Sequence, residues 1–247
     1  MHKLQYVESL GRKIRTDDKI EELGESSFDV LRELIRGGRK DVALEFIDYL
    51  QNEFKWVHDL YNDWVYADLD YVAKTYGEEE IPKLLRHVRE VLMKSSYRGQ
   101  GEITVLDNLR LFAEALRAHR CGPRESGSLK IWEEKNRYVI ELHPCGAGGR
   151  QRQVGQLDGI PPRTGEPFNL GVTQKPYPWS FGKKGVPYYC VHCCFWHEYM
   201  MIEKFGFPSK IVDYQDDPEA PCRWYFYKNP AEIPENYYKR LGMQKPE

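Results

Sequence analysis

The sequence predicts an α+β fold, in which an N-terminal helical bundle packs against a C-terminal α+β unit with a small antiparallel sheet. From residue 26 to 120, apolar residues recur at the three- and four-residue spacings of amphipathic helices. Runs typical of strands follow within 128–143 and 209–228, with a cysteine-rich stretch at 188–198 between them. We therefore divide the chain into an N-terminal segment of open structure (1–25), a helical bundle (26–120) and an α+β domain (121–247).

Four helices account for the N-terminal half. Ser26 provides an N-cap for the first helix, and Gly37 ends it. Gly77 ends a much longer second helix, and the acidic run 78–80 places negative charge at the positive end of the third helix dipole. The predicted helices are 28–36, 41–76, 79–94 and 104–119.

Four strands and a long loop account for most of the C-terminal half. The strands are predicted at 129–133, 137–143, 210–214 and 222–227. The intervening segment 144–187 contains nine glycines and seven prolines, which disfavour regular structure. Its aromatic residues argue against disorder, so we predict an ordered loop that covers a pocket.

Composition excludes several functions. The 36 basic and 38 acidic residues leave a formal charge of −2, which gives no electrostatic footprint for nucleic acid. No apolar run reaches membrane-spanning length and the N-terminus lacks a signal-peptide core, so we expect a cytoplasmic protein with a small-molecule partner. The pattern does not indicate an oligomeric state. In a reducing compartment, the six cysteines favour a metal or catalytic site over disulfides.

The cysteine-rich stretch predicts a metal site on one helix, 188–205. Residues three, four and seven apart share a helix face, which leaves His192 pointing elsewhere. Thiolates and imidazoles on one face suit zinc, with iron as the alternative. Buried free cysteines and a Cys-x-x-Cys redox pair remain open as other interpretations. The residues of the predicted face are Cys190, Cys193, Cys194 and His197, and we expect His143 and Cys145 to complete the metal shell.

Substrate contacts are predicted in the glycine-rich loop. Glycines from 146 to 149 allow backbone N–H groups to approach an anion, and Arg150 and Arg152 would bind a substrate carboxylate. The alternative is a flexible turn with solvated arginines. Trp179 would exclude water from the pocket. The candidates for proton transfer are His58, Asp63 and Glu198.

The order of elements from Cys190 onward is a cysteine-bearing helix, Gly-Phe-Pro, a strand, an acidic turn and an aromatic strand that begins at Cys222. Over about 40 residues, this order resembles the vinyl-reductase-type small-molecule-binding domains and the related L-2-amino-thiazoline-4-carboxylate hydrolase-like proteins. The resemblance implies a structural zinc beside a pocket for a small aromatic molecule. Its ligands would be Cys190 or Cys193 together with Cys222, joined by a carboxylate of Asp213, Asp216 or Asp217. The strand pair has one cysteine rather than two, and the helix carries an extra Cys and His, which leaves the ligand set open.

Two functions follow from these features. The first is a metal-dependent hydrolase or lyase that acts on a small carboxylate-bearing or aromatic metabolite, with a metal-bound water as nucleophile. The second is a small-molecule-binding or sensor protein with a structural zinc. Three protein ligands plus water would favour the enzyme, and four protein ligands would favour the sensor.

Overall fold

A computed structural model describes residues 3–95, 103–119, 128–153 and 159–246. These residues form two compact units: unit 1 extends to residue 59, and unit 2 contains the described residues from 60 onward. The predicted α+β class is confirmed by long helices in the first half and a small antiparallel sheet in the second. The predicted domain boundary between residues 120 and 121 lies outside the described residues.

Unit 1 contains a two-stranded hairpin and helices. Its elements are β1 (Leu4–Val7), β2 (Arg12–Arg15), α1 (Ser27–Arg36) and the first part of α2 (Lys40–Tyr76). Val30, Leu34 and Phe46 are buried in its small core. The buried Arg15 forms an ion pair with Asp17. The hairpin is the regular structure of residues 4–15, for which the sequence pattern predicted none.

Helices α3 (Ile81–Ser95) and α4 (Val105–Ala118) belong to unit 2, with the second part of α2. The bounds of α1 to α4 agree with the predicted helices within two residues. Thr104 caps α4 by accepting the Asp107 N–H at 3.1 Å. Tyr66, Leu85 and Leu109 pack into one core with the sheet. Among the described helices, none combines the length and apolarity that crossing a membrane requires.

The main sheet of unit 2 contains the four predicted strands. They are β3 (Ser128–Glu133), β4 (Arg137–His143), β5 (Ile211–Asp213) and β6 (Cys222–Tyr227). All neighbours pair antiparallel in the order β3-β4-β6-β5. Leu142 lies opposite Cys222, so the start of β6 lies beside the end of β4 and the approach to Cys145.

The predicted helix 188–205 is helical throughout but not uniform. It comprises α6 (Tyr188–Cys194), a π-helical turn (Phe195–Tyr199) and α7 (Met200–Phe205), and a short α8 (Asn236–Lys239) follows later. A π-turn inserts extra backbone into a helix and rotates the residues that follow it. Positions that share a face on a uniform α-helix therefore diverge after Cys194.

The segment 144–187 is ordered and mostly irregular in its described part, with one short α-helix, α5 (Gly148–Arg152), and one 3₁₀ turn at Pro178–Ser180. The prediction of a segment without regular structure is wrong at α5. Hydrogen bonds attach the loop to helical elements: Tyr66 Oη donates to the Gly171 carbonyl at 2.9 Å, and Asp70 accepts the Gly171 N–H at 2.7 Å. A Cβ at Gly171 would lie 2.5 Å from the Tyr188 ring, so the close approach requires glycine.

Candidate functional site

Four free cysteines of unit 2 come together, and we call them the thiol cluster: Cys145, Cys190, Cys193 and Cys222. Three separate elements bring them there, namely the segment after β4, one turn of α6 and the start of β6. Gly148 and Gly149 allow the close approach. A Cβ on Gly148 would lie 2.6 Å from Cys190 Sγ, and one on Gly149 would lie 2.9 Å from Cys145 Cβ. The glycine-rich stretch is therefore the packing surface of the cysteines.

Three thiols of the cluster are protonated at neutral pH, namely those of Cys190, Cys193 and Cys222. Burial raises the pKa of Cys190 to about 12, and it raises the pKa of Cys193 and Cys222 well above the ordinary value. The neighbouring thiols oppose ionisation further, because each thiolate would repel the next. A nucleophilic or metal-binding cysteine needs the thiolate form. These three thiols therefore form a neutral wall in this arrangement.

Arg152 extends from α5 to this wall. Its guanidinium lies over the Tyr214 ring at 4.9 Å, and Nη1 donates to Tyr214 Oη at 3.0 Å and to the Gln215 carbonyl at 2.9 Å. Burial alone would lower the pKa of Arg152, but Cys190 and Tyr214 help to raise it above the ordinary value. Arg152 therefore stays charged beside the thiol cluster.

The charge of Arg152 has no carboxylate partner among the described residues. Its buried Nε also lacks a hydrogen-bond partner there. Buried charges in proteins are normally paired. Other arginines of the chain follow that rule, as in Arg15–Asp17, Arg163–Asp63 and Arg240–Glu198.

The predicted metal ligands do not assemble as expected. Within the described ranges, no three or more His, Cys, Asp or Glu side chains form a group that could hold a metal ion. The thiols have the soft character that zinc or iron prefers. Zinc, with iron as the alternative, stays a prediction.

Three of the predicted ligands have other neighbours. His143 is exposed, with Nε2 2.7 Å from the Glu219 carbonyl oxygen. Cys194 accepts the Phe181 N–H at 3.3 Å. His197 follows the start of the π-turn and contacts aromatic rings of α4 and β6. The expected single face therefore divides, because Cys194 contacts the loop at Phe181 while His197 contacts rings of α4 and β6.

Glu198, a predicted proton-transfer residue, is held in an ion pair and a backbone hydrogen bond. Its carboxylate pairs with Arg240 at 2.5 Å and accepts the Val212 N–H at 2.9 Å. Burial raises the pKa of Glu198, although Arg240 and the Val212 N–H oppose that rise. The side chain joins the π-turn to β5 and to the C-terminal segment rather than facing the thiol cluster.

Two other predicted proton-transfer residues also have partners. Asp63 accepts hydrogen bonds from Arg163 Nε at 3.0 Å and from Gln151 Nε2 at 3.2 Å. His58 belongs to unit 1, where its Nδ1 lies 3.0 Å from a carboxylate oxygen of Asp59. Asp63 thus connects α2 with the loop that carries α5, and it anchors the segment that presents Arg152.

The other two residues predicted to contact substrate, Arg150 and Trp179, have different neighbours from those of Arg152. Arg150 is buried and donates from Nε to the Gly146 carbonyl at 3.0 Å, which stabilises its own loop. Trp179 stacks on Tyr177 with ring centroids 4.4 Å apart. It lines an open surface pocket of about 420 Å³ together with Phe195 and residues of α3.

His192 was predicted to point away from the cysteines, and the structure corrects this. Its Nδ1 lies 2.5 Å from the Tyr189 carbonyl oxygen, and its Nε2 lies 3.4 Å from Cys193 Sγ. Burial lowers the pKa of His192 to about 4, so the ring is neutral. The Tyr189 carbonyl requires the proton on Nδ1, which leaves Nε2 to accept from the Cys193 thiol. Local spacing could not show this contact, because adjacent helical residues do not usually face each other.

Comparisons with protein-family models, curated proteins and solved structures found no match to this chain. The resemblance to vinyl-reductase-type domains therefore stays a prediction. The chemistry of the site rests on its own geometry.

Proposed function

We propose that the protein binds a small carboxylate-bearing metabolite, with Arg152 as the residue that recognises the carboxylate and the thiol cluster as a wall of the site. The observation that supports this most directly is the half-buried guanidinium without a carboxylate partner among the described residues. The protonated thiols leave its charge uncompensated. An anionic ligand would supply the missing charge.

The free edge of Arg152 favours a carboxylate over a simple ion. Nη1 makes the protein hydrogen bonds, whereas Nε and Nη2 make none with the described residues. These two N–H groups point the same way from the planar guanidinium and match the two oxygens of a carboxylate. Contacts with the ring and hydroxyl of Tyr214 hold the guanidinium in place, which reduces the entropy that binding would cost.

Titrations with matched ligand pairs test this function. Acetate, pyruvate and benzoate would be compared calorimetrically with acetamide, pyruvamide and benzamide, which keep the shape without the charge. We expect binding of at least one carboxylate and no binding of its amide. Arg152→Met should weaken that binding roughly 10- to 150-fold, the effect of losing a charged hydrogen bond worth about 1.5–3 kcal/mol.

Arg137 provides a matched control. Its guanidinium also lies over an aromatic ring, 4.1 Å from the centroid of Tyr225, but Glu134 already neutralises it at 2.6 Å. Arg137→Met should leave carboxylate affinity unchanged. The proposal fails if the carboxylates bind no better than the amides and if Arg152→Met binds the carboxylates as well as wild type does. Arg152 would then be a structural support for residues 214–216.

The metal-dependent hydrolase or lyase predicted from the sequence is the second candidate. Its specific support is a set of four cysteines brought together by three elements. Zinc and iron analysis of protein expressed in metal-supplemented medium tests it. About one metal per chain, lost in Cys190→Ser/Cys193→Ser, would support this candidate, whereas a metal-free wild-type chain would reject it.

A further inference from the structure

In unit 2, helix α2 is apolar on two opposite sides. One side, which includes Tyr66 and Leu69, is buried in the core. The other side is exposed, and we call it the α2 face. Its large residues lie three, four and seven positions apart, as one side of a helix requires. They are Leu60, Tyr61, Trp64 and Tyr71, which are 57%, 51%, 64% and 61% exposed. A helix that is apolar on both sides is normally covered on both sides.

The α2 face is large enough to form the centre of a protein interface. An aromatic side chain that becomes fully covered buries about 150–250 Å², so its three rings, each about half to two-thirds exposed, offer roughly 250–450 Å². Exposed apolar patches of this size commonly mark interaction sites. Each partner in a stable dimer buries about 800 Å², of which the apolar centre is one part and a polar rim is the other. The α2 face therefore supplies such a centre.

The charge of the α2 face indicates the kind of partner. Its one charged side chain is Asp68, which is exposed at the edge of the face and makes no ion pair or side-chain hydrogen bond with the described residues. Ala67, the other exposed position of this stretch, is small. A surface with one charge gives a highly charged partner little to pair with. An apolar partner surface fits it better, and a second copy of this chain presents one.

We propose that the α2 face pairs with the same face of a second copy, in a dimer whose two α2 helices run antiparallel. Dimers of identical chains are most commonly two-fold symmetric, and the same patch then serves on both subunits. Trp64 lies in the middle of the face, so the symmetry axis passes beside it and the two indoles meet there. Tryptophan and tyrosine at the centre of an interface are the residues that contribute most to binding.

The antiparallel arrangement makes the face complementary to itself. Leu60 then lies against the small Ala67 of the second copy, and Tyr61 lies beside its Asp68. The two Asp68 residues are about 12 Å apart along the helix direction, because each is four residues from the axis at a rise of about 1.5 Å per residue. That separation exceeds the screening length of about 8 Å at physiological salt. A parallel pairing would instead place Asp68 directly opposite Asp68.

Sedimentation equilibrium of the wild-type chain over about 1–100 μM tests the proposal, and we expect a dimer within this range. Trp64→Arg places two positive charges together at the axis, so it should weaken dimerisation at least about 30-fold, as expected for a central tryptophan of an interface. Tyr71→Arg should also weaken it. Because both residues are exposed, the variants should keep the far-UV circular dichroism spectrum of wild type, which shows that they fold.

Phe205 provides a matched control. It is 54% exposed at the end of α7, outside the α2 face, so Phe205→Arg should leave the dimer unchanged. If wild type is monomeric up to about 100 μM, the α2 face serves another partner or another part of the chain, and the proposal is overturned. A dimer that Trp64→Arg leaves intact uses a different surface and overturns it as well. No carboxylate ligand is present, so either outcome is independent of the test of Arg152.

Discussion

The ion pair between Glu198 and Arg240 allows a quantitative test of whether Glu198, predicted to transfer protons, instead stabilises the fold. The Glu198 side chain is 1% exposed and that of Arg240 is 21% exposed, with 2.5 Å between Oε2 and Nη2. Glu198→Gln preserves the shape of the side chain and its ability to accept the Val212 N–H. It removes only the negative charge beside Arg240.

The expected loss of stability follows from the burial of the pair. Removing one partner of a buried ion pair costs about 3–5 kcal/mol, because the other charge stays buried without compensation. The partial exposure of Arg240 places this pair near the lower end, at about 3 kcal/mol. For a chain of this size, that corresponds to a fall in the melting temperature of roughly 6–12 °C. Differential scanning calorimetry at pH 7 would measure it.

Glu203 supplies the matched control, because it also pairs with an arginine. The Glu203–Arg86 pair is 2.7 Å long, but the two side chains are 37% and 41% exposed. Exposed pairs contribute about 0–1 kcal/mol, so Glu203→Gln should lower the melting temperature by less than about 4 °C. Equal shifts in the two variants would refute the structural role that we assign to Glu198.

Three further predictions concern stability and thiol reactivity. The pKa of Lys210 is about 7 in the folded protein and 10.5 in the ordinary lysine, so the unfolded chain binds more protons between these pH values. The free energy of unfolding therefore rises with pH across that window. Urea unfolding should show that Lys210→Met is more stable than wild type by roughly 2–4 kcal/mol at pH 6, with a smaller difference at pH 10. Gly182→Ala should cost more than about 1 kcal/mol in the same assay, because φ is +65° and the new Cβ would lie 2.5 Å from the Arg240 carbonyl oxygen. In chelator-treated protein, Cys190 should react with iodoacetamide more slowly than an unstructured cysteine peptide does. Its reaction rate should still rise between pH 8 and 10, because its pKa is about 12. A rate equal to that of the peptide would contradict the burial of the Cys190 thiol.

The helices and strands could be predicted because their signals are local. The apolar residues of α4 and those of α2 before Gly77 recur at helical spacing, which predicts a helix from the local sequence alone. The π-turn at Phe195–Tyr199, which contains His197, has no such signal. A prediction that assumes one uniform α-helix therefore misses the change of hydrogen bonding at Phe195.

The neighbours of the site residues could not be predicted for a different reason. Arg152 and Tyr214 are 62 positions apart, and Glu198 and Arg240 are 42 apart. Such contacts depend on how sheet, loop and helix pack, and no periodicity encodes them. Spacing did identify Arg152 and the cysteines as candidates, but it could not distinguish Arg152 from Arg150, whose Nε hydrogen-bonds within its own loop.

The most direct measurement is the NMR resonance of the Arg152 Nε–H group during a carboxylate titration. Uniformly ¹⁵N-labelled protein would be titrated with whichever of acetate, pyruvate and benzoate binds, and the resonance would be assigned by its loss in Arg152→Lys. We predict a saturable shift of this resonance with the affinity found by calorimetry, and no shift with the matching amide. A carboxylate that binds the protein while the Arg152 resonance stays unchanged would contradict it.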